Sequence, residues 1–233
     1  MQTNIGKKAA GEKAAEYIKP GMTVGLGTGS TAYYTILRIG ELVRNGLDIK
    51  AVATSAQSEE LAREQGIPLV DFDKVEKIDI DIDGADEADA QLQLIKGGGG
   101  ALLREKIIAA ASKEMLVVID EHKLVKHLGK FPLPVEVVTF GWELTFRQLS
   151  ALGAHPVLRL KDNNRFVTDN GNYILDCHYQ KIHNAAALHA QLNSIPGVVE
   201  NGLFLDYASR LIIGHEDGSI REITHPYPAK TSF

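Results

Sequence analysis

Apolar residues recur at helical spacing over residues 5–18 and stop at Pro20-Gly21, which predicts a helix followed by a short buried strand in MTVGLG. A second helical stretch, Thr31 to Arg44, leads into the strand-like run IKAVATS. A third helix is predicted from Ser58, with PLVDF after it as another strand. From Asp79 to Gly84 isoleucine and aspartate alternate, the period of a strand with one apolar face. Strands and helices alternate through this half of the chain, so parallel strands with crossover helices are predicted. Ligands of such sheets gather in the loops beyond the carboxyl ends of the strands.

Past Phe131 the pattern changes. PVEVVTF, TFRQLSALG, HPVLRL, YILDC, NAAALHAQLNSI and VVENGLF read as strand, helix, strand, strand, helix, strand, the ferredoxin-like split βαβ order. TDNGN, Thr168 to Asn172, predicts a hairpin, since Asn-Gly accepts the positive φ angles of a tight turn. RLIIGHEDGSIREI reads as another hairpin, one that returns to the first domain. The fold class is therefore α/β: a Rossmann-like parallel-sheet domain from residues 1–130 plus 207–233, and a smaller ferredoxin-like α+β domain from residues 131–206.

Composition narrows the partners. The 233 residues are 44% apolar and 24% charged, ordinary globular usage, and a net charge of −5 with no basic stripe argues against a nucleic-acid partner. Cys177 is the only cysteine, which excludes a disulfide within the chain and fits a reducing compartment. The opening MQTNIGKKAAGEKAAEYIKPG has charges where a signal peptide has its apolar core. No run approaches the ~20 apolar residues of a membrane span. A soluble, cytoplasmic protein is expected.

Three loops carry chemistry. GLGTGSTA, Gly25 to Ala32, joins a strand to a helix; its glycines admit an anion, the helix N-terminus attracts one, and Thr28, Ser30 and Thr31 add hydroxyls. It reads as a phosphate cradle, or else as a glycine turn of pure geometry. The loose dinucleotide fingerprint over Gly27, Gly29 and Ala32 lacks an acidic residue after the next strand, which ends VATS. The acidic run places six carboxylates between Asp79 and Asp89. It opens like a calcium loop but has Ala90 where the bidentate Glu belongs. Asp79 and Asp81 read as solvated edge residues, whereas Asp83, Asp86 and Glu87 lie where the strand enters a loop, positions from which carboxylates accept hydrogen bonds from sugar hydroxyls. Third, KGGGGALLREK sets Lys96 before four glycines, Gly97 to Gly100, an entropic cost that points to close approach by a ligand. Glu105 then falls in an apolar helix stripe with Ala101, Leu102, Ile108 and Ala109. Such a carboxylate is either ion-paired, with Lys106, Arg104 or Lys96, or a base whose pKa burial has raised. These parts suit a metal-free proton shift on a sugar phosphate.

With those residues identified, the chain resembles the A-type ribose-5-phosphate isomerases: GTGSTA, DGADE, IKGGGGALLREK, GKFPLPVEV, VTDNGN and IPGVVENGLF stand in the family's order between Gly27 and Phe204. The resemblance implies interconversion of D-ribose 5-phosphate and D-ribulose 5-phosphate through a cis-enediolate in the non-oxidative pentose phosphate pathway. It implies no cofactor, no metal and no membrane or nucleic-acid partner, and a homodimer or homotetramer. By the same resemblance Glu105 is the base, Asp83 and Asp86 contact hydroxyls and assist ring opening, and Lys96 stabilises developing charge. Thr28, Gly29, Ser30, Thr31, Gly84, Ala85, Gly97, Gly98, Gly99 and Lys123 line the substrate site, and Lys7 helps with the phosphate. Two rivals stand beside this reading. A sugar-phosphate sensor has no use for Glu105 and Lys96, and a nicotinamide oxidoreductase rests on the glycine fingerprint alone.

Overall fold

The run MLVVID, without a polar residue before its last position, supplies the middle of the main sheet. In a computed structural model that describes residues 4–224, every one of its side chains is buried. Residues 1–3 and 225–233, both assigned to the first domain by sequence, lie outside the described residues. The first half of the chain runs α1 (Ile5–Ala15), β1 (Thr23–Leu26), α2 (Ser30–Arg44), β2 (Lys50–Ala53), α3 (Ala56–Glu64), β3 (Ile80–Gly84), β4 (Glu87–Ala88), β5 (Leu94–Ile95), α4 (Leu102–Ala111) and β6 (Met115–Asp120). The second half runs β7 (Leu133–Val137), α5 (Trp142–Ala151), β8 (Pro156–Leu158), β9 (Leu160–Lys161), β10 (Asn164–Arg165), β11 (Tyr173–Cys177), α6 (Ala185–Asn193), β12 (Val198–Asn201), β13 (Leu203–Phe204), β14 (Arg210–Gly214) and β15 (Ile220–Thr224).

Six strands form the main sheet in the order β15-β14-β6-β3-β1-β2, parallel except for the β15 edge. Both of its faces are covered, as a parallel sheet requires. Ile80, Ile82, Val24, Leu26, Leu116 and Val118 pack with α1 and α2 residues on one side, and Met115, Val117, Ile119, Leu211 and Ile213 pack with Ala109 and Phe204 on the other. From β1 the chain turns outward to β2 and then returns to the opposite flank as β3. The loops after β1 and β3 therefore diverge around a crevice, the place where open α/β sheets bind ligands. A second sheet, β12-β7-β11-β8, is wholly antiparallel and has the ferredoxin-like order. A small antiparallel sheet, β13-β5-β4, pairs one strand of the second half with two of the first.

The predicted class is observed, with local differences. PLVDF makes no extended strand: Leu69 forms one parallel bridge to Ala51, and the next residues turn into a short 3-10 segment. The tight hairpin falls at Asp162-Asn163, between β9 and β10, where both residues have positive φ. Asn170-Gly171 is also a turn, but β10 and β11, which flank it, are not paired with each other. The tail hairpin does return, since β14 lies parallel to β6.

Candidate active site

Gly29 is the N-cap at which the glycine-rich loop passes into α2. It takes φ of +104° and leaves the first turn of α2 without a side-chain cap, so backbone N–H groups at that helix end face the crevice. Thr28 Oγ1 is engaged by Thr54, Ser55 and Ser58, at 2.7, 2.8 and 3.2 Å, and braces the loop from behind. Ser30 and the buried Thr31, whose hydroxyl has no hydrogen-bond partner among the described residues, line the cleft. Lys7 reaches across from α1 to donate to Ser30 Oγ at 2.9 Å and lies 3.7 Å from Asp120.

The acidic strand is organised by glycines on its neighbour. In the β1–β3 register Gly25 faces Asp81, and a side chain at Gly25 or Gly27 would collide with Asp81 or Asp83 respectively. Asp83 is fully buried: its Oδ1 accepts from the N–H groups of Thr28 and Gly84, at 2.9 and 2.7 Å, and its Oδ2 lies 2.9 Å from Lys96 Nζ. Asp81 is not a solvated edge residue. Neither its carboxyl oxygens nor any other part of it reaches solvent, neither oxygen has a hydrogen-bond partner among the described residues, and burial with Asp83 nearby lifts its pKa well above its ordinary value. Asp79 is largely buried too, accepting from Thr23 N–H and pairing with Lys77 and Lys113. Glu87 turns away from the crevice to accept from the N–H groups of Gly129 and Phe131, a tie to the start of the second half.

Lys96 and Glu105 meet at the floor. Lys96 is 2% exposed and lies 3.4 Å from Glu105 Oε2, while Lys106 and Arg104 go elsewhere: Lys106 to Glu200 and the Asn201 carbonyl, Arg104 to Asp169 and Asn170. Burial disfavours the Lys96 charge, but Asp83, Glu105 and Asp81 outweigh it and hold the ammonium above its ordinary value. Burial acts the other way on Glu105. With Asp83 and Asp86 adding to it and Lys96 opposing, the carboxyl is pushed up to about 8.

A cleft of about 190 Å³ brings together Thr28, Gly29, Ser30, Thr31, Gly84, Ala85, Asp86, Lys96, Gly97, Gly98, Gly99, Glu105 and Lys123. Pockets for drug-sized ligands span ~300–1,000 Å³, so this one suits a small ligand and not a dinucleotide. Of the site residues predicted from sequence, Asp83 lies behind the cleft and Lys7 beside it. Asp86 accepts from Gly98 N–H at 2.7 Å, and Lys123 donates to the Ala85 carbonyl at 2.8 Å. Asp120, at the end of β6 between Lys7 and Lys123, was missed in the sequence, although its place as the last residue of an apolar strand is the same signal that marked Asp83.

A doubly covered parallel sheet with an anion cradle and a buried carboxylate–lysine pair at its switch point belongs to an enzyme of small phosphorylated metabolites. Comparison with known proteins gives the family. The sequence model described as ribose 5-phosphate isomerase A (phosphoriboisomerase A) matches residues 50–218. Ribose-5-phosphate isomerase A of Bacillus cereus is 54% identical over 213 residues, 91% of this chain and 97% of the relative, and that of Listeria innocua is 53% identical over 218 residues, 93% and 97%. Among solved structures, a D-ribose-5-phosphate isomerase in complex with phospho-erythronic acid aligns with TM-score 0.92 at 41% identity, covering 96% of this chain and all of that one. The Plasmodium falciparum ribose 5-phosphate isomerase aligns with TM-score 0.93 at 36% identity, covering 97% of this chain and 100% of that one. The chain belongs to the ribose 5-phosphate isomerase A family, isomerases that interconvert ribose 5-phosphate and ribulose 5-phosphate. No described helix is long and apolar enough to cross a membrane.

Proposed function

We propose that Glu105 is the base of this isomerisation and that the cleft holds the open-chain sugar phosphate with its phosphate at the α2 N-terminus. The single observation that carries the reading is the buried Glu105 carboxylate, 3.4 Å from Lys96, opening into the same cleft as the Gly29–Thr31 cradle. Glu105 takes the proton from C2 of the aldose as the C1 carbonyl becomes an oxyanion, giving a cis-enediolate. Reprotonation at C1, with transfer of the hydroxyl proton from O2 to O1, completes the ketose. A proton next to a carbonyl is weakly acidic, so the step depends on preorganised positive charge and N–H donors at the oxyanion. Lys96 and the backbone of Gly97 to Gly99 supply these.

Asp83, being enclosed, acts on substrate through Lys96, whereas Asp86 and Lys123 line the cleft and meet hydroxyls directly. Ser30 and Thr31 bind phosphate, with Lys7 adding charge through Ser30. The solved relative in complex with phospho-erythronic acid supports the ligand class and not the placement: that ligand's carboxylate and phosphate resemble an enediolate charge and a terminal phosphate. Residues 1–130 with 207–233 form the catalytic domain and residues 131–206 the smaller one, in a cytoplasmic homodimer or homotetramer of the pentose phosphate pathway. No cofactor takes part.

The test is ketose formation from D-ribose 5-phosphate in excess EDTA, with Glu105→Gln beside the wild type. Turnover that survives EDTA and falls by about a thousandfold in the folded variant is expected, within the 10²–10⁴-fold share usual for a general base. Near-wild-type turnover in Glu105→Gln removes Glu105 from the role. A wild type that binds the sugar phosphate without converting it favours a sensor.

A further inference from the structure

Arg159, just after β8 in the smaller sheet, reaches the glycine loop of the active site. Its Nη1 donates to the carbonyls of Gly97 and Gly98, at 2.8 and 3.1 Å. The rest of the guanidinium is held in a fork by Asp176 of β11, Nε to Oδ2 at 2.9 Å and Nη2 to Oδ1 at 2.5 Å. Both side chains are mostly enclosed, 14% and 21% exposed. The ring of Phe166, 5.8 Å from the guanidinium, lies directly against Gly100.

Peptide planarity converts these contacts into a statement about the opposite side of the loop. In a trans peptide the C=O and the following N–H point in opposite directions. With the Gly97 carbonyl drawn to Arg159, the Gly98 N–H points away from it, and there it meets Asp86 Oδ2 at 2.7 Å. With the Gly98 carbonyl drawn the same way, the Gly99 N–H is turned to the cleft side; among the described residues it has no acceptor.

We propose that Arg159 is a positioning residue for the isomerisation, which by holding two consecutive carbonyls outward fixes the N–H groups of Gly98 and Gly99 toward Asp86 and the reacting oxygen. This rests on the reading of the cleft given above. Arg159 touches no substrate, so its contribution is the preorganisation of donors that a flexible tetraglycine would otherwise lose. Lysine is no equivalent, because a single ammonium cannot fork Asp176 and bridge two carbonyls in one plane.

The experiment measures kcat and KM for D-ribose 5-phosphate in Arg159→Met, Arg159→Lys and Arg159→Ala, with thermal melts to establish folding. Loosening donors near the chemistry is expected to lower kcat roughly tenfold to a hundredfold in Arg159→Met, with KM changing far less. Arg159→Lys recovers only part of the loss, and low concentrations of added guanidinium raise kcat in Arg159→Ala, a rescue that a merely structural arginine does not show. A folded Arg159→Met with kcat within about twofold of wild type, or one altered only in KM, overturns the proposal, since about 1.4 kcal/mol of lost positioning already means tenfold in rate. If Arg159→Met does not fold, Asp176→Asn, which frees the guanidinium from its fork, is read by the same criteria. Glu105→Gln run in parallel separates the two readings: an active Glu105→Gln overturns the site assignment, whereas an inactive one beside a normal Arg159→Met overturns the role of Arg159 alone.

Discussion

Glu105 shows how much one residue owes to what surrounds it. On the helix it has apolar neighbours one turn away on either side, and that much is visible in the sequence; its partner was not, because Lys96, Lys106 and Arg104 all lay within reach along the chain. The fold sends Lys106 to Glu200 and Arg104 to the 169–170 turn, leaving Lys96. A carboxyl pushed up to about 8 is charged, and able to take a proton, above that pH and is protonated below it; with Glu105 in the proposed role this sets the pH dependence. The profile of kcat/KM against pH is therefore expected to fall about tenfold per unit on the acid side of a midpoint near 8, and a rate independent of pH down to 5 contradicts the shift. Asp81 is the opposite lesson. Its alternation with isoleucine suggested solvent on its face, whereas the sheet is covered on both faces and the carboxyl is enclosed without a partner among the described residues.

At the level of elements, the pairing of β1 with β3 is what makes the acidic strand tolerable. Gly25 on β1 and Gly27 just after it leave room where β3 carries Asp81 and Asp83, so the carboxylates occupy the space a Cβ would fill. Gly27 does not need positive φ; what it needs is the absence of a Cβ, which would land on the Asp83 carboxylate and Cα. Gly27→Ala is accordingly expected to cost about 1–3 kcal/mol or more, as overpacked cores do, and to displace Asp83 and with it Lys96. A denaturation midpoint unchanged from wild type, with full activity, contradicts the close approach. The turn at 168–172 is another element read for the wrong reason. Its Asn-Gly pair signalled a hairpin, yet Thr168, Asn170 and Asn172 all donate to the buried Glu136, and Asp169 accepts from the N–H of Ala56 at the start of α3. The turn therefore latches the smaller sheet onto the larger one.

For the molecule as a whole, the last described strands complete a core begun a hundred residues earlier. Leu211 and Ile213 of β14 are fully buried against Val117 and Ile119 of β6, and Ser209 donates to the Met115 carbonyl. Removing residues 207–233 uncovers one flank of β6 and the apolar cluster on its face, each large buried side chain being worth ~1.5–3 kcal/mol. A chain ending at Asp206 is expected to aggregate or to lack cooperative unfolding by circular dichroism; a soluble, cooperatively folded product contradicts the dependence. The smaller half also makes contacts around the cleft. Arg159, Phe166 and Asp169 all press on loops that line or flank the cleft.

The order of helices and strands, the ferredoxin-like second half and the three chemically loaded loops were legible in the sequence, because periodicity, glycine runs and strand-end carboxylates are local signals. So was the set of residues that meet in the cleft, through the resemblance of whole motifs. Tertiary structure alone decided which lysine pairs with Glu105, that Asp83 lies behind Lys96, that Asp81 is buried, and that Arg159 bonds to the glycine loop. Each of those depends on contacts between residues far apart in the chain, or on which face of a sheet is covered, and neither is written in the pattern of a single segment.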